Sequence, residues 1–131
     1  MKLITRDTDY AIRALCYLAK SKNKVVSVRQ LVKALKIPNP FLRKILQVLN
    51  KKGVLESYKG LGGGFSLNIP ADKILIMDLL EIFQGPFKLN ECFLKKIVCP
   101  NTRTCALRRK INKIEKYVVR ELRSISVGSL L

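Results

Sequence analysis

Cys92, Cys99 and Cys105 stand at C-x6-C-x5-C spacing inside "ECFLKKIVCPNTRTCALRRK", residues 91–110, and are three of the chain's four thiols. Thiolates are the ligands of iron–sulfur clusters, and three in one segment supply most of a coordination shell, for a 2Fe-2S or a 4Fe-4S cluster alike. Zinc also accepts three cysteines, although structural zinc sites favour tighter C-x2-4-C pairs. A third chemistry needs no metal: the thiols sense oxidants by forming disulfides. Lys95, Lys96, Arg103, Arg108 and Arg109 surround the triplet, and cations so placed favour thiolates and offset the charge of an anionic cluster. The chain contains no histidine, so a remaining ligand must be of another type. With no nucleophile, base and orienting group at a recognisable spacing, an enzyme is the least favoured reading.

Twenty-six Lys and Arg against nine Asp and Glu give a formal charge of +17. A field of that sign draws polyanions, nucleic acid first among them. A ribosome-associated or membrane-surface protein would share the charge, but no long basic amphipathic helix with exposed aromatics marks a bilayer surface. The segment nearest to an apolar run, Ile74 to Phe83, is interrupted by Asp78 and Glu81 and falls well short of the ~20 residues of a membrane span. "MKLITRDTDY" lacks an export signal, which points to the cytoplasm, where a disulfide scaffold is not expected. An apolar content of 48% suffices for one core.

Elements that position chemistry follow from periodicity and punctuation. A first helix is expected to begin near Thr5 to Thr8, capped by hydroxyl or carboxylate side chains, and to run through "YAIRALCYLAK" with Ala11, Ala14, Leu15, Leu18 and Ala19 on one face. Asp9 and Cys16, seven residues apart, share a different face, and Cys16 reads first as a small buried apolar residue. Ser27 and Gln30 form a capping box opening a short helix that buries Val28, Leu31 and Leu35; "KIP" stops it. Asn39 is expected to cap the next helix, with Pro40 at its first position and Gly53 as a left-handed end. Two short helices across a tight turn make a helix-turn-helix. In the second, Leu42, Ile45, Leu46 and Leu49 face inward, while Arg43, Lys44, Gln47 and Lys51 form an outer face with no acid, suited to phosphates and base edges.

"VLESYKGLGGGFSLN" then reads as two β segments, Val54 to Lys59 and Gly64 to Asn68, around a glycine turn. Phosphate-cradling loops open a helix, whereas this one leads into extended "FSLN", so it is read as a wing with Lys59 at its tip. The DNA-contacting set is expected to be Ser27 and Arg29 on the first short helix, Asn39, Pro40, Phe41, Arg43, Lys44 and Gln47 on the second, and Ser57, Lys59 and Gly62 on the wing. Arg43 is the leading guanine reader. Residues 72–84 read as an apolar helix closed by Gly85 and Pro86, with Leu79, Ile82 and Phe83 packed on the first helix. A long C-terminal helix repeats Leu107, Ile111, Ile114, Val118, Leu122 and Ile125 at three and four residues, amid Arg108, Arg109, Lys110, Lys113, Lys116 and Arg120. Such a stripe is expected to pair with a second copy, Leu107, Ile111, Ile114, Val118 and Leu122 forming the dimer interface.

The sum is a mainly α chain with a small β-hairpin wing. A winged helix-turn-helix domain occupies residues 1–85, a cysteine-containing cluster-binding loop 86–106, and a dimerisation helix 107–127.

"TRDTDYAIRALCYLA", "IPNPFLRKILQVLNKKGVLESYKGLGGGFSL", "ADKILIMDLLEIFQG" and the three cysteines together resemble the Rrf-type bacterial transcription regulators, which include iron–sulfur cluster, nitric-oxide-sensing and cysteine-metabolism repressors. The likeness spans almost the whole chain. It implies a dimeric winged-helix regulator, a homodimer on an operator of double-stranded DNA, whose iron–sulfur cluster lies at the dimer interface with Cys92, Cys99 and Cys105 as ligands. The cluster-regulator pattern has a histidine three residues after the last cysteine, where this chain has Arg108. Nitric-oxide-sensing relatives use an aspartate early in the first helix of the other subunit, and Asp9 stands at the matching position. Water, a small thiol or Cys16 are the other candidates for that fourth place. The implied function is a repressor whose DNA binding responds to redox, nitric oxide or iron status, with cluster-free thiol sensing as the alternative.

Overall fold

The computed structural model describes residues 2–89 and 106–131. Helix α1 (Arg6–Lys20) sets Ala11, Ala14, Leu15 and Leu18 into the core, with Asp7 and Asp9 in its first turn and Lys20 in its last, each sign suited to its end of the helix dipole. Thr5 occupies the N-cap position, yet no side chain caps the helix. Its hydroxyl turns instead toward Gln84, a partner 79 residues away that no local pattern reveals.

Helix α2 (Val28–Leu35) opens with the expected capping box: the Gln30 amide donates to Ser27 Oγ at 3.1 Å and the Ser27 amide to Gln30 Oε1 at 2.9 Å. Lys36, in the left-handed conformation, ends it. Helix α3 (Asn39–Lys51) differs in one detail from its sequence reading. Pro38, not Asn39, takes the cap position and its carbonyl accepts from the Leu42 amide at 3.1 Å; Asn39 and Pro40 are already helical. The shift costs no hydrogen bond, because the first four amides of a helix lack intrahelical partners wherever the proline falls among them. At the other end Gly53 is left-handed (φ 81°), the Gly53 amide bonds the Asn50 carbonyl and the Val54 amide that of Leu49. That pairing is a Schellman closure, and buried Val54 packs over the helix end.

Because the Val54 amide closes α3, the hairpin starts one residue later than expected. Strands β1 (Leu55–Tyr58) and β2 (Gly64–Leu67) pair antiparallel, Leu55 opposite Leu67 and Tyr58 opposite Gly64. A third strip joins them: Val26, just before α2, exchanges two 2.9 Å backbone bonds with Phe65. The wing is thereby fastened to the helix-turn-helix on its inner edge.

Helix α4 (Ile76–Gln84) begins four residues after the sequence suggested, preceded by a 3-10 turn over Ala71–Lys73. Ile74 and Leu75 are extended because the tail beyond the last helix pairs with them: the Val127 amide donates to the Ile74 carbonyl at 2.8 Å and the Ile76 amide to Ile125 at 3.0 Å. Helix α4 packs on α1, with Leu79 fully buried and Ile82 and Phe83 half-buried. Helix α5 (Ala106–Arg123) packs on α4, with Leu122 in the core and Val118 and Val119 half-buried against it, and ends at Arg123, short of residue 127. Among the described residues, no helix is long and apolar enough to cross a membrane.

Candidate nucleic-acid interface and sensor residues

The inner face of α3 is sealed, Leu42, Ile45, Leu46 and Leu49 each being at most 2% exposed. A helix held this firmly on one side presents the other rigidly. Arg43, Lys44 and Gln47 project into solvent from it, and Asn39, Pro40 and Phe41 are exposed at its start. Arg29 lies exposed on α2, whereas Ser27 is half-buried and its hydroxyl is engaged in the capping box. On the wing, Ser57 and Lys59 are exposed, and Gly62 sits in the turn with φ 75°. Among the described residues the ion pair that forms is Asp9–Arg13. None of the cations on this face has a carboxylate partner among the described residues, an arrangement suited to phosphate.

One contact on this face was not legible in the sequence. The Arg6 guanidinium stacks over the Phe41 ring, 4.7 Å from its centroid, and the cleft beneath is floored by Ile45, Val48 and Phe83. The first turn of α1 therefore touches the start of α3 through a cation–π contact. That same turn is clasped from behind. Gln84 Oε1 accepts from the Thr5 amide at 2.9 Å and from the buried Thr8 hydroxyl at 2.7 Å, while its Nε2 donates to the Leu3 carbonyl at 3.2 Å. Gln84 is the last residue of α4, directly before the stretch leading to the cysteine triplet. A glutamine at a helix end carries no sequence signal for such a role.

Cys92, Cys99 and Cys105 lie outside the described residues. The Leu89 amide, just before them, donates to Glu115 Oε1 of α5 at 3.2 Å, so the described chain before the triplet is tied to the helix that follows it. Asp9 is on the surface of α1, its carboxylate 2.9 Å from Arg13 Nε in an i,i+4 pair and its side chain 44% exposed. Cys16 is half-buried against the core, as its small-apolar reading expects. Burial pushes its thiol above the ordinary value, outweighing the opposite pull of Lys20. A thiol kept protonated is a poor metal ligand and a weak nucleophile. Among the described residues, no three His, Cys, Asp or Glu side chains converge as a metal site would require.

Along α5 the apolar stripe divides. Leu122 lies in the chain's own core, so it is not a surface for a second copy, and Val118 and Ile111 are half-buried. Leu107, Ile114 and Tyr117 stand open, at 67%, 51% and 60% exposure.

A family model described as "Rrf2: Iron-dependent Transcriptional regulator" matches residues 4–131. The chain belongs to the Rrf2 family. Among similar proteins, one from Aquifex aeolicus (strain VF5) is 35% identical over 132 aligned positions, covering 98% of this chain and 92% of that one. The HTH-type transcriptional regulator NsrR of Bacillus licheniformis is 33% identical over 115, covering 86% and 80%. Two solved structures share the fold. CymR, the global cysteine regulator of B. subtilis, superposes with a TM-score of 0.82 at 22% identity over 99% of this chain and 96% of its own. IscR of T. potens gives 0.75 at 21% identity over 99% and 85%. This Rrf2 protein is accordingly a DNA-binding transcriptional regulator of winged-helix architecture, and its relatives are regulators rather than enzymes.

Proposed function

We propose that this Rrf2 regulator is a homodimeric repressor whose grip on an operator is coupled to an iron–sulfur cluster. Cys92, Cys99 and Cys105 would hold the cluster, with Asp9 of the second copy completing the shell. The observation that carries the reading is the cysteine triplet between α4 and α5, in a chain matched almost end to end by a family model described as iron-dependent. The donors suit the group: thiolates are the usual ligands of such clusters, and the exposed Asp9 carboxylate can be reached from outside its own chain. When bound, the cluster supplies a redox-active, nitric-oxide-reactive centre whose binding energy differs between two arrangements of the protein.

The chain's own residues provide the rest. Leu107, Ile114 and Tyr117 offer a second copy an apolar stripe, with Ile111 beside it. A dimer places two α3 helices on successive major-groove faces, Arg43 reading guanine and Lys44, Gln47, Arg29 and Ser27 holding backbone or base edges. Asn39, Pro40 and Phe41 form the tip of that helix, while Ser57, Lys59 and Gly62 brace the wing against the neighbouring groove.

Purification without air tests this. Brown protein containing iron and acid-labile sulfide, lost together in Cys92→Ala, is expected. Colourless protein with neither rejects the cluster. In sedimentation, Ile114→Glu should convert a dimer to monomer while keeping native circular dichroism. The rival in which the same thiols sense oxidants by disulfide formation draws on Arg108, which stands where the cluster-regulator pattern has histidine. It requires two free thiols to give two protons and two electrons to a peroxide, leaving operator affinity peroxide-sensitive in iron-free protein.

A further inference from the structure

Among the described residues nothing covers Leu61: it is fully exposed, at 108%. Single exposed leucines are ordinary on protein surfaces, but this one is mounted with care. Gly60 (φ 88°) and Gly62 (φ 75°) flank it, and the Gly63 amide closes the turn onto the Gly60 carbonyl at 3.0 Å. Gly62 at positive φ in the third position makes a type II turn with Leu61 at its apex. Below the apex the backbone runs too close to its neighbours for side chains. A Cβ on Gly63 would collide with the Tyr58 carbonyl and one on Gly64 with the Val26 carbonyl. Phe65, next along, is bonded at both its amide and its carbonyl to Val26.

The result is a slender prong bearing one aliphatic side chain among four glycines, anchored at its base by the Val26–Phe65 bonds. Its slenderness is the decisive property. A helix fills the major groove, whereas the minor groove is only ~6 Å wide and admits little more than a single extended side chain. Lys59 at the base supplies a cation for its phosphate walls, and the one acid in the hairpin, Glu56, accepts from the Tyr58 hydroxyl at 3.1 Å. An apolar tip in this place meets sugar C–H surfaces on both walls.

We infer that Leu61 is a specificity residue that seats in the minor groove beside each half-site and selects A·T over G·C there. Guanine's 2-amino group rises from the groove floor. A leucine pressed over it strips its water and offers no acceptor. A·T steps lack that group and can narrow around the side chain. The inference rests on the wing facing DNA.

The test uses the full chain and the duplex recovered from random sequence by selection on that chain, with the wing-covered steps located by hydroxyl-radical footprinting. At those steps A·T pairs are replaced by G·C or by inosine·C, which keeps the A·T minor groove while presenting a G·C-like major groove. The parent chain is expected to bind inosine·C like A·T and to lose about tenfold on G·C, the scale of one apolar contact. Leu61→Ala should fold as the parent does and shrink that G·C penalty to below about twofold. A penalty unchanged in Leu61→Ala, an inosine·C penalty as large as that of G·C, or a selected duplex without A·T bias at these steps overturns the inference. Lys59→Ala separates the two levels. If it weakens all duplexes evenly and lowers the salt slope by about one, the wing is on DNA and a failure belongs to Leu61 alone. If it changes nothing, the wing assignment fails as well.

Discussion

The two ends of this molecule are built on opposite terms. Around α2, α3 and the wing, the inward apolar side chains are sealed within the chain while Phe41 and Leu61 stay open, the outward cations have no carboxylate partner among the described residues, and the hairpin is fastened by backbone bonds to Val26. Around the first turn of α1, the end of α4 and the outer side of α5, apolar side chains are left open. Beyond the apolar packing of α4 on α1, the outer edge there is held by one glutamine amide and a few long-range hydrogen bonds. The half around α3 closes its core within one copy. The other half leaves apolar surface open, which is what the proposed joint between copies would require.

Substitutions can break that contrast. Leu46→Ala, in the sealed half, should cost about 2–5 kcal/mol in urea denaturation, whereas Ile114→Ala on the open stripe should leave the unfolding of a dilute monomer within about 0.5 kcal/mol of the parent. Equal losses would erase the distinction. Gly64→Ala comes next, with φ 154° and the Val26 carbonyl in the way. A loss of about 2–3 kcal/mol is expected, with faster amide exchange at Phe65. Gly53→Ala, equally left-handed but with nothing near it, should cost only about 1–2 kcal/mol. Gln84→Ala leaves the buried Thr8 hydroxyl and the Thr5 amide without their acceptor, for a loss of about 1–3 kcal/mol. Here the half around α1 and α4 would yield first: exchange should accelerate in residues 5–9 before it does in α3.

Asp9→Ala removes an exposed ion pair and should change the stability of cluster-free protein by less than about 0.5 kcal/mol. If Asp9 is a ligand, the same variant loses iron or shifts the visible spectrum. Smallest is the effect of Cys16. Its thiol is raised by burial, so the fold favours the protonated form. That preference stabilises the protein below the ordinary thiol value of 9.0 and is lost as pH climbs through the raised folded one. The melting temperature should therefore fall slightly more steeply above pH 9.0 in the parent than in Cys16→Ala, and Cys16 should alkylate more slowly than a free thiol at pH 8.

Local chemistry carried most of the fold into the sequence. The capping box at Ser27, the left-handed Gly53 and the 3.6-residue rhythm of α3 are each set by residues within one or two turns. What stayed hidden depends on partners far along the chain. Val26 joins β2 across some forty residues, Ile74 stays extended because the tail reaches it, and Thr5 and Thr8 answer to Gln84 rather than to their own helix. The outer face of α3 was legible as a one-sign helical face, since Arg43, Lys44 and Gln47 recur opposite the apolar positions and are exposed as that pattern expects. Leu61 was not, because apolar residues announce themselves by repetition and a single leucine among glycines has no period. Arg6 and Phe41 were likewise unreadable as a pair, lying on helices whose crossing no local rule fixes.

The bond between Val127 and Ile74 has a consequence for birth as well as for shape. Val127 is wholly buried and sits against a strand laid down more than fifty residues earlier. Until Val127 has been synthesised, the place it fills stays vacant, and α4 waits for its last wedge. The surface around α3 is thus made early, but the packing around α4 locks only once a segment more than fifty residues beyond Ile74 has been added.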